Sequence, residues 1–254
     1  MDNDTLQYMY ELMLERIPEP SMNKKVWSEK CCRLGVCLIE FRKHNYMKSV
    51  LYNMCNIYGG TDTTLYIIHG TENELFVKDI IKDWSNVRTI KYDHNNIDIA
   101  RYNDIMTSYD FYNRFETEFV LIFQTDTIIR KQIPEEFFQY KYVGAPWKGY
   151  PNDFPDNPHI QLGNKLVGNG GFSLRHVEKM KEICSKYLYQ NSEKKINEDV
   201  FITNYLNAFD VPKVELAKQF AVEWIFFEDP VGLHHVWSIF PFDIVKQWMQ
   251  YIIE

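Results

Sequence analysis

The chain has 254 residues, 45% hydrophobic and 25% charged, a balance that excludes collagenous, disordered and disulfide-framework classes. A formal net charge of −7 lacks the Lys and Arg excess on which sequence-independent grip on phosphates depends, so no nucleic-acid partner is expected. The 16% aromatic content, with 17 Tyr, 17 Phe and 6 Trp, is more flat amphipathic surface than a core of this size needs.

In chain order, Leu6 to Ile17 sets Leu6, Met9, Met13 and Ile17 on one helical stripe stopped by Pro18 and Pro20, an appended N-terminal helix. Leu34 to Phe41 is an apolar run of strand length. Met47 to Ile57 then carries Val50, Leu51, Met54 and Ile57 at helical spacing and meets Gly59-Gly60. The alternation repeats: a strand over Thr64 to Ile68, a helix over Glu74 to Trp84, a strand over Val87 to Tyr92, a helix over Ala100 to Phe115. A buried strand, Phe119 to Phe123, ends at Gln124-Thr125-Asp126-Thr127. This pattern predicts an α/β fold whose central, mostly parallel sheet is flanked by helices on both faces.

Tyr142 to Gly163, holding Pro146, Pro151, Pro155 and Pro158, reads as loop. Leu166 to Leu174 follows, with Gly168-Asn169-Gly170-Gly171 at its centre. Helices are predicted from about His176 to Tyr189 and from Glu198 to Phe209, and a late segment, Phe226 to Trp237, carries Gly232-Leu233-His234-His235. No linker cuts the chain, so residues 33–254 read as a single domain behind a helical extension, 1–32.

The five cysteines (Cys31, Cys32, Cys37, Cys55, Cys184) are odd in number and form no Cys-x-x-Cys, which points to a reducing compartment. The acidic, amphipathic start lacks the basic and apolar regions of a signal peptide, and no run of about 18 apolar residues exists. A cytoplasmic location and no membrane span are the expectations; the oligomeric state is left open.

Ligands of open α/β sheets bind beyond the carboxyl ends of the strands. That rule selects Glu40 and Arg42, His69, the Gln124-Thr125-Asp126 turn and the Asn169 turn. Asp126 is either a ligand for Mg²⁺ or Mn²⁺, which take oxygen donors, or the cap of a turn. Asn197-Glu198-Asp199 is either a helix N-cap with carboxylates at the positive end of the dipole or the seat of a general base. The glycines at 168, 170 and 171 allow close approach of a ligand or a tight turn. His234 and His235 read as a metal ligand or as buried structural histidines, and Arg42 as a phosphate partner or the ion-pair partner of Glu40.

A strand ending at QTD, the APW segment, the VGNGGFSLR turn, NEDVF and a late GLHH, in this order and spacing, resemble the GT-A glycosyltransferases. The nearer resemblance is to a poorly characterised branch of glycosyltransferase-like domains from microbes and large DNA viruses, over roughly Arg33 to Phe240. The resemblance implies a single GT-A-like, Rossmann-like domain that moves a sugar from a nucleotide-sugar, with UDP the expected carrier, to a carbohydrate or glycosylated acceptor. Gln124-Thr125-Asp126 takes the place of the family's metal-gripping Asp-x-Asp motif, so Mn²⁺ or Mg²⁺ is implied with Asp126 and His234 as ligands. Glu40, Arg42, His69, Gln124, Thr125, Asn169, Gly170 and Gly171 are then donor contacts. Asp199 is the base that takes the acceptor proton, Glu198 supports it or binds acceptor, and the configuration inverts. Trp147, Tyr150, Phe172 and Trp237 are implied around the acceptor, where flat rings pack on pyranose faces. Two other functions fit the same residues: a non-catalytic nucleotide-sugar or carbohydrate binding module, and a metal-dependent phosphohydrolase or nucleotidyltransferase.

Overall fold

The computed structural model describes residues 3–30, 32–149, 165–189 and 196–253. In chain order its first half holds α1 (Asn3–Glu15), β1 (Leu34–Ile39), α2 (Met47–Tyr58), β2 (Thr63–His69), α3 (Glu74–Ile80), β3 (Arg88–Lys91), α4 (Ile99–Met106), α5 (Tyr109–Tyr112) and β4 (Phe119–Phe123). The second half adds β5 (Thr127–Ile129), β6 (Tyr142–Val143), β7 (Phe172–His176), α6 (Val177–Lys186), α7 (Glu198–Asn204), α8 (Val214–Phe220), β8 (Ala221–Val222), β9 (Gly232–His234) and α9 (Phe242–Ile253).

Six strands pair in the order β3-β2-β1-β4-β7-β6. The first four run parallel, β7 lies antiparallel to β4, and β6 lies antiparallel to β7. Strands β1, β2 and β4 are buried along their whole length, as expected of parallel strands covered on both faces. Because successive side chains point to opposite faces, each strand feeds two cores. Val36, Leu38, Leu65, Ile67, Leu121 and Phe123 meet α2 and α3 on one side. Cys37, Ile39, Tyr66, Ile68, Val120 and Ile122 meet α4, α5, α6 and α7 on the other. A large aliphatic side chain buried this way stabilises by about 1.5–3 kcal/mol. The predicted α/β plan with a mostly parallel, helix-flanked sheet is what the chain adopts.

A second, three-stranded sheet has the order β5-β9-β8. Its Ile128, Val222 and Leu233 form a third core with Tyr10, Met13, Leu14 and Ile17 from the N-terminal segment and Val245, Trp248 and Met249 from α9. The extension at residues 3–17 therefore shares a core with the end of the chain. Its buried face is Tyr10, Met13, Leu14 and Ile17 rather than a stripe beginning at Leu6, which is half-buried.

The helices predicted over 74–84 and 176–189 end early, at Ile80 and Lys186, and two more come out shorter for local reasons. The stretch 100–115 is split because Thr107 Oγ1 bonds back to the Asn103 carbonyl at 2.7 Å and Ser108 caps a new helix by accepting from the Phe111 N–H at 3.2 Å. Helix α7 ends at Asn204 because the buried Lys165 ammonium donates to the carbonyls of Thr203, Asn204 and Leu206. Among the described residues no helix is long and apolar enough to cross a membrane.

Candidate functional site

A cleft of about 830 Å³ opens at the carboxyl ends of β1 and β4, where the topology concentrates polar side chains. Glu40, Phe41 and Arg42 follow β1, and Gln124, Thr125 and Asp126 follow β4. The Asn169-Gly170-Gly171 turn leading into β7, the start of α7 at Asn197-Glu198-Asp199, and His234, His235 and Trp237 complete the inner wall. Gln7 and Glu11 of α1 reach the rim.

Sheet register builds the first cluster. Thr127 pairs with His234, and the His235 N–H donates to the Asp126 carbonyl at 3.0 Å, so the two histidines flank Asp126. Asp126 Oδ2 lies 3.2 Å from His235 Nδ1, and Oδ1 lies 3.5 Å from His234 Nε2. Oδ1 is buried and has no hydrogen-bond partner. Gln124 sends its Nε2 to the Tyr102 hydroxyl at 3.2 Å and turns its Oε1 to His234 Nε2 at 3.3 Å. Burial pushes the Asp126 carboxyl upward, but the hydrogen bond from His235 and the nearby imidazoles outweigh it and hold it below the usual carboxylate range. For His234 burial alone would favour the neutral ring; the carboxylates of Glu223, Asp126 and Asp199 reverse this and raise its pKa. Gly171 makes the approach possible, since a Cβ there would stand 2.1 Å from His234 Nε2.

The second cluster sits at the start of α7. Asp199 is half-buried, accepting from the Val200 N–H at 2.8 Å and the Gly170 N–H at 3.2 Å. Burial, with the neighbouring Glu198 charge, raises its carboxyl from 3.8 to about 7. Glu198 is committed elsewhere: both its oxygens take hydrogen bonds from the Arg175 guanidinium, at 2.9 and 3.0 Å, in a pair closed to solvent. Arg175 also donates to Tyr112, Ser173 and the Gly170 carbonyl. Removing one member of so buried a pair costs about 3–5 kcal/mol. Glu198 thus braces, through Arg175, the turn beside Asp199; Asn197 stands at the N-cap position without a side-chain capping bond, and the Asn103 side chain accepts from the Glu198 N–H instead, at 3.2 Å.

The remaining expected residues divide. Glu40 and Arg42 form the internal ion pair, with Arg42 Nε and Nη2 on the two carboxylate oxygens at 2.9 and 2.8 Å, yet both line the cleft. Thr125, Asn169 and Gly170 line it as well, and the Asn169 Oδ1 accepts from the Gly171 N–H within its own turn. Trp237 lines the cleft, stacked on Tyr10 at 6.2 Å. His69 does not reach it: the ring is buried, with Nδ1 2.8 Å from the Gly70 carbonyl. Phe172 is also in the core, because as the first residue of β7 its ring points inward onto Phe220. Trp147 packs over Gly168 and against the core on the α4–α7 side instead of lining the cleft. Tyr150 lies outside the described residues.

Several cleft groups carried no motif in the sequence: Gln7, Glu11, Tyr46, Tyr102 and Asn103, together with Glu223 just behind the wall; Arg175, also behind it, closes the VGNGGFSLR segment but had no role assigned. Tyr102 and Asn103 had a legible signal, as polar groups on the face of a helix that turns toward strand ends. The others depend on long-range packing.

A mostly parallel, helix-flanked sheet with a polar cleft at the carboxyl ends of its strands makes this a Rossmann-like α/β protein. The chain belongs to the family described as Protein of unknown function (DUF5672), whose model matches residues 86–234, more than half of the chain. That span takes in Asp126, Asp199 and His234 and leaves β1, β2 and α1 outside. No curated protein matches the chain.

Proposed function

We propose that the chain is a glycosyltransferase of the GT-A type, transferring a sugar from a nucleotide-sugar, with UDP-sugars the first donors to test, to an acceptor hydroxyl with inversion. One observation carries the reading. Asp126 with His234, and Asp199 with a carboxyl raised to about 7, line a single cleft beyond the strand ends.

The residues fit a divalent ion. Asp126 Oδ1 is an orphaned buried acceptor 3.5 Å from His234 Nε2, and neighbouring ligands on an ion with bonds of about 2.1 Å stand roughly 3 Å apart. Among the described residues no three His, Cys, Asp or Glu side chains form a complete site, so water and donor phosphates would supply the other ligands. One carboxylate and one imidazole favour Mn²⁺ over Mg²⁺, which prefers oxygen. When bound, the ion neutralises charge that develops on the departing diphosphate.

The chain's own groups do the rest. Asp199 takes the proton of the acceptor hydroxyl as its oxygen bonds to the anomeric carbon. The bond from that carbon to the diphosphate breaks and its electron pair leaves with the nucleoside diphosphate. A carboxyl titrating near 7 suits a base working near neutrality, being ionised when needed and still basic enough to accept a proton. Arg42, whose Nε and Nη2 are held by Glu40, presents a fixed cation on the donor wall.

A screen of nucleotide-sugars with Mn²⁺, read by nucleotide release and by NMR of the product anomer, tests the proposal. Release that depends on acceptor, with inversion, supports it. A retained anomer removes Asp199 as a simple base. The second reading, a nucleotide-sugar binding module, is favoured by Gln124, whose neutral amide leaves the cluster one carboxylate. Tight donor binding without release under any acceptor would select it.

A further inference from the structure

Glu223 follows β8, and the β5-β9-β8 order puts it on one flank of His234 while Asp126 occupies the other. It is 7% exposed, and its Oε1 lies 3.5 Å from His234 Nδ1. Its Oε2 and His234 Nδ1 are both buried, and neither has a hydrogen-bond partner. A buried carboxylate left alone is costly, so a proton on the facing nitrogen is what its position calls for. On the opposite side of the ring His234 Nε2 faces the orphaned Asp126 Oδ1 at 3.5 Å and Gln124 Oε1 at 3.3 Å, and with the ring proton on Nδ1 all three atoms are acceptors. Such a cluster is satisfied by a cation in its midst.

We infer that Glu223 is a positioning residue, which holds His234 with its proton on Nδ1 so that the Nε2 lone pair faces Asp126 and a divalent cation. The inference rests on the glycosyltransferase reading and adds to it a residue that never touches substrate. A carboxylate behind an imidazole fixes the tautomer and orientation of the ring and strengthens it as a ligand. Nothing in AVEWIFF marks Glu223 in the sequence; only the register of the small sheet brings it to His234.

Calorimetric titration of Mn²⁺ into the full chain, with and without UDP, tests this alongside Glu223→Gln and Glu223→Leu. The expected result is a loss of Mn²⁺ affinity of roughly 10–100-fold in Glu223→Leu, with Glu223→Gln, whose amide oxygen can still accept, in between. Long-range ¹H–¹⁵N correlation spectra of the wild-type imidazoles, with Mg²⁺ and UDP bound, should show the His234 proton on Nδ1. That readout needs no variant to fold. Wild-type Mn²⁺ affinity in both variants, or a His234 proton on Nε2, overturns the role of Glu223 and leaves the glycosyltransferase reading intact. A wild-type chain that binds neither Mn²⁺ nor UDP overturns both.

Discussion

At the scale of single residues, Asp199 gives the sharpest consequences. Its proton leaves the unfolded chain near 3.8 and the folded chain near 7, so the folded state holds the extra proton between those values. Stability contributed by this group therefore falls as pH rises through that window. Asp199→Asn should stabilise the protein at neutral pH by up to a few kcal/mol, since each tenfold difference in proton affinity between the two states is worth about 1.4 kcal/mol. The gain should vanish below pH 3.8, and denaturant melts at several pH values check it. In the wild type kcat/KM should rise with pH to a plateau above about 7, and Asp199→Asn should bind donor yet lose transfer. A pH profile flat around neutrality would refute the assignment. Gly171 supports a second prediction: Gly171→Ala puts a methyl group 2.1 Å from His234 Nε2, so the ring must move. Donor and Mn²⁺ affinity should drop tenfold or more while the melting temperature changes little, as read by paired titration and thermal scans. Unchanged affinity would mean that His234 is not held where donor binding needs it.

Among elements, α1 does more than cover a core. Tyr46 donates to Glu11 Oε1 at 2.5 Å and accepts from Gln7 Nε2 at 3.2 Å, tying the helix to the loop after β1. Burial and Glu11 push the Tyr46 hydroxyl up to about 12, so it stays a donor across the working range. Tyr10, from the same helix, stacks on Trp237. These contacts make α1 part of the rim of the cleft; if that rim receives the acceptor in the proposed reaction, Glu11→Ala should raise the acceptor KM about tenfold, the worth of one hydrogen bond to a charged group. Donor hydrolysis measured without acceptor should stay the same; a parallel loss there would place Glu11 on the donor side. The elements also show how far a sequence can be read. The strand Phe119 to Phe123 is found as predicted, because an unbroken apolar run leaves no choice of face. Asp126 and Asp199 were legible because one follows a buried strand and the other opens a helix, whereas His234 stood out only through the family resemblance. The role of Arg175 was not legible: it closes the VGNGGFSLR segment, but nothing local shows that it is buried against Glu198, 23 positions on. The aromatic expectation erred for a related reason. Loop position suggested that Trp147 and Phe172 face a sugar, but Phe172 already belongs to β7, whose inward face is core.

For the whole molecule, the cysteines are a test of how closed the cores are. Cys32, Cys37, Cys55 and Cys184 are free and buried, and burial pushes the Cys55 and Cys184 thiols up to about 12. A thiol held protonated is a poor nucleophile. Native protein should therefore release at most one equivalent of thionitrobenzoate quickly, against five in denaturant. Fast reaction of several thiols would show that the two faces of the main sheet open readily. The third core joins α1 to α9, so these two helices stabilise each other.

The pairing of Thr127 with His234 has a temporal side. More than a hundred residues separate the strands it joins, so Asp126 must wait for almost the entire chain before its imidazole neighbours arrive. A nascent chain ending before β9 would carry the main sheet but no binding cluster. Any ligand bridging Asp126 and His234 would then recognise only the finished fold and stabilise it by mass action, so under the proposed function thermal protection by a nucleotide would serve as an assay for complete folding.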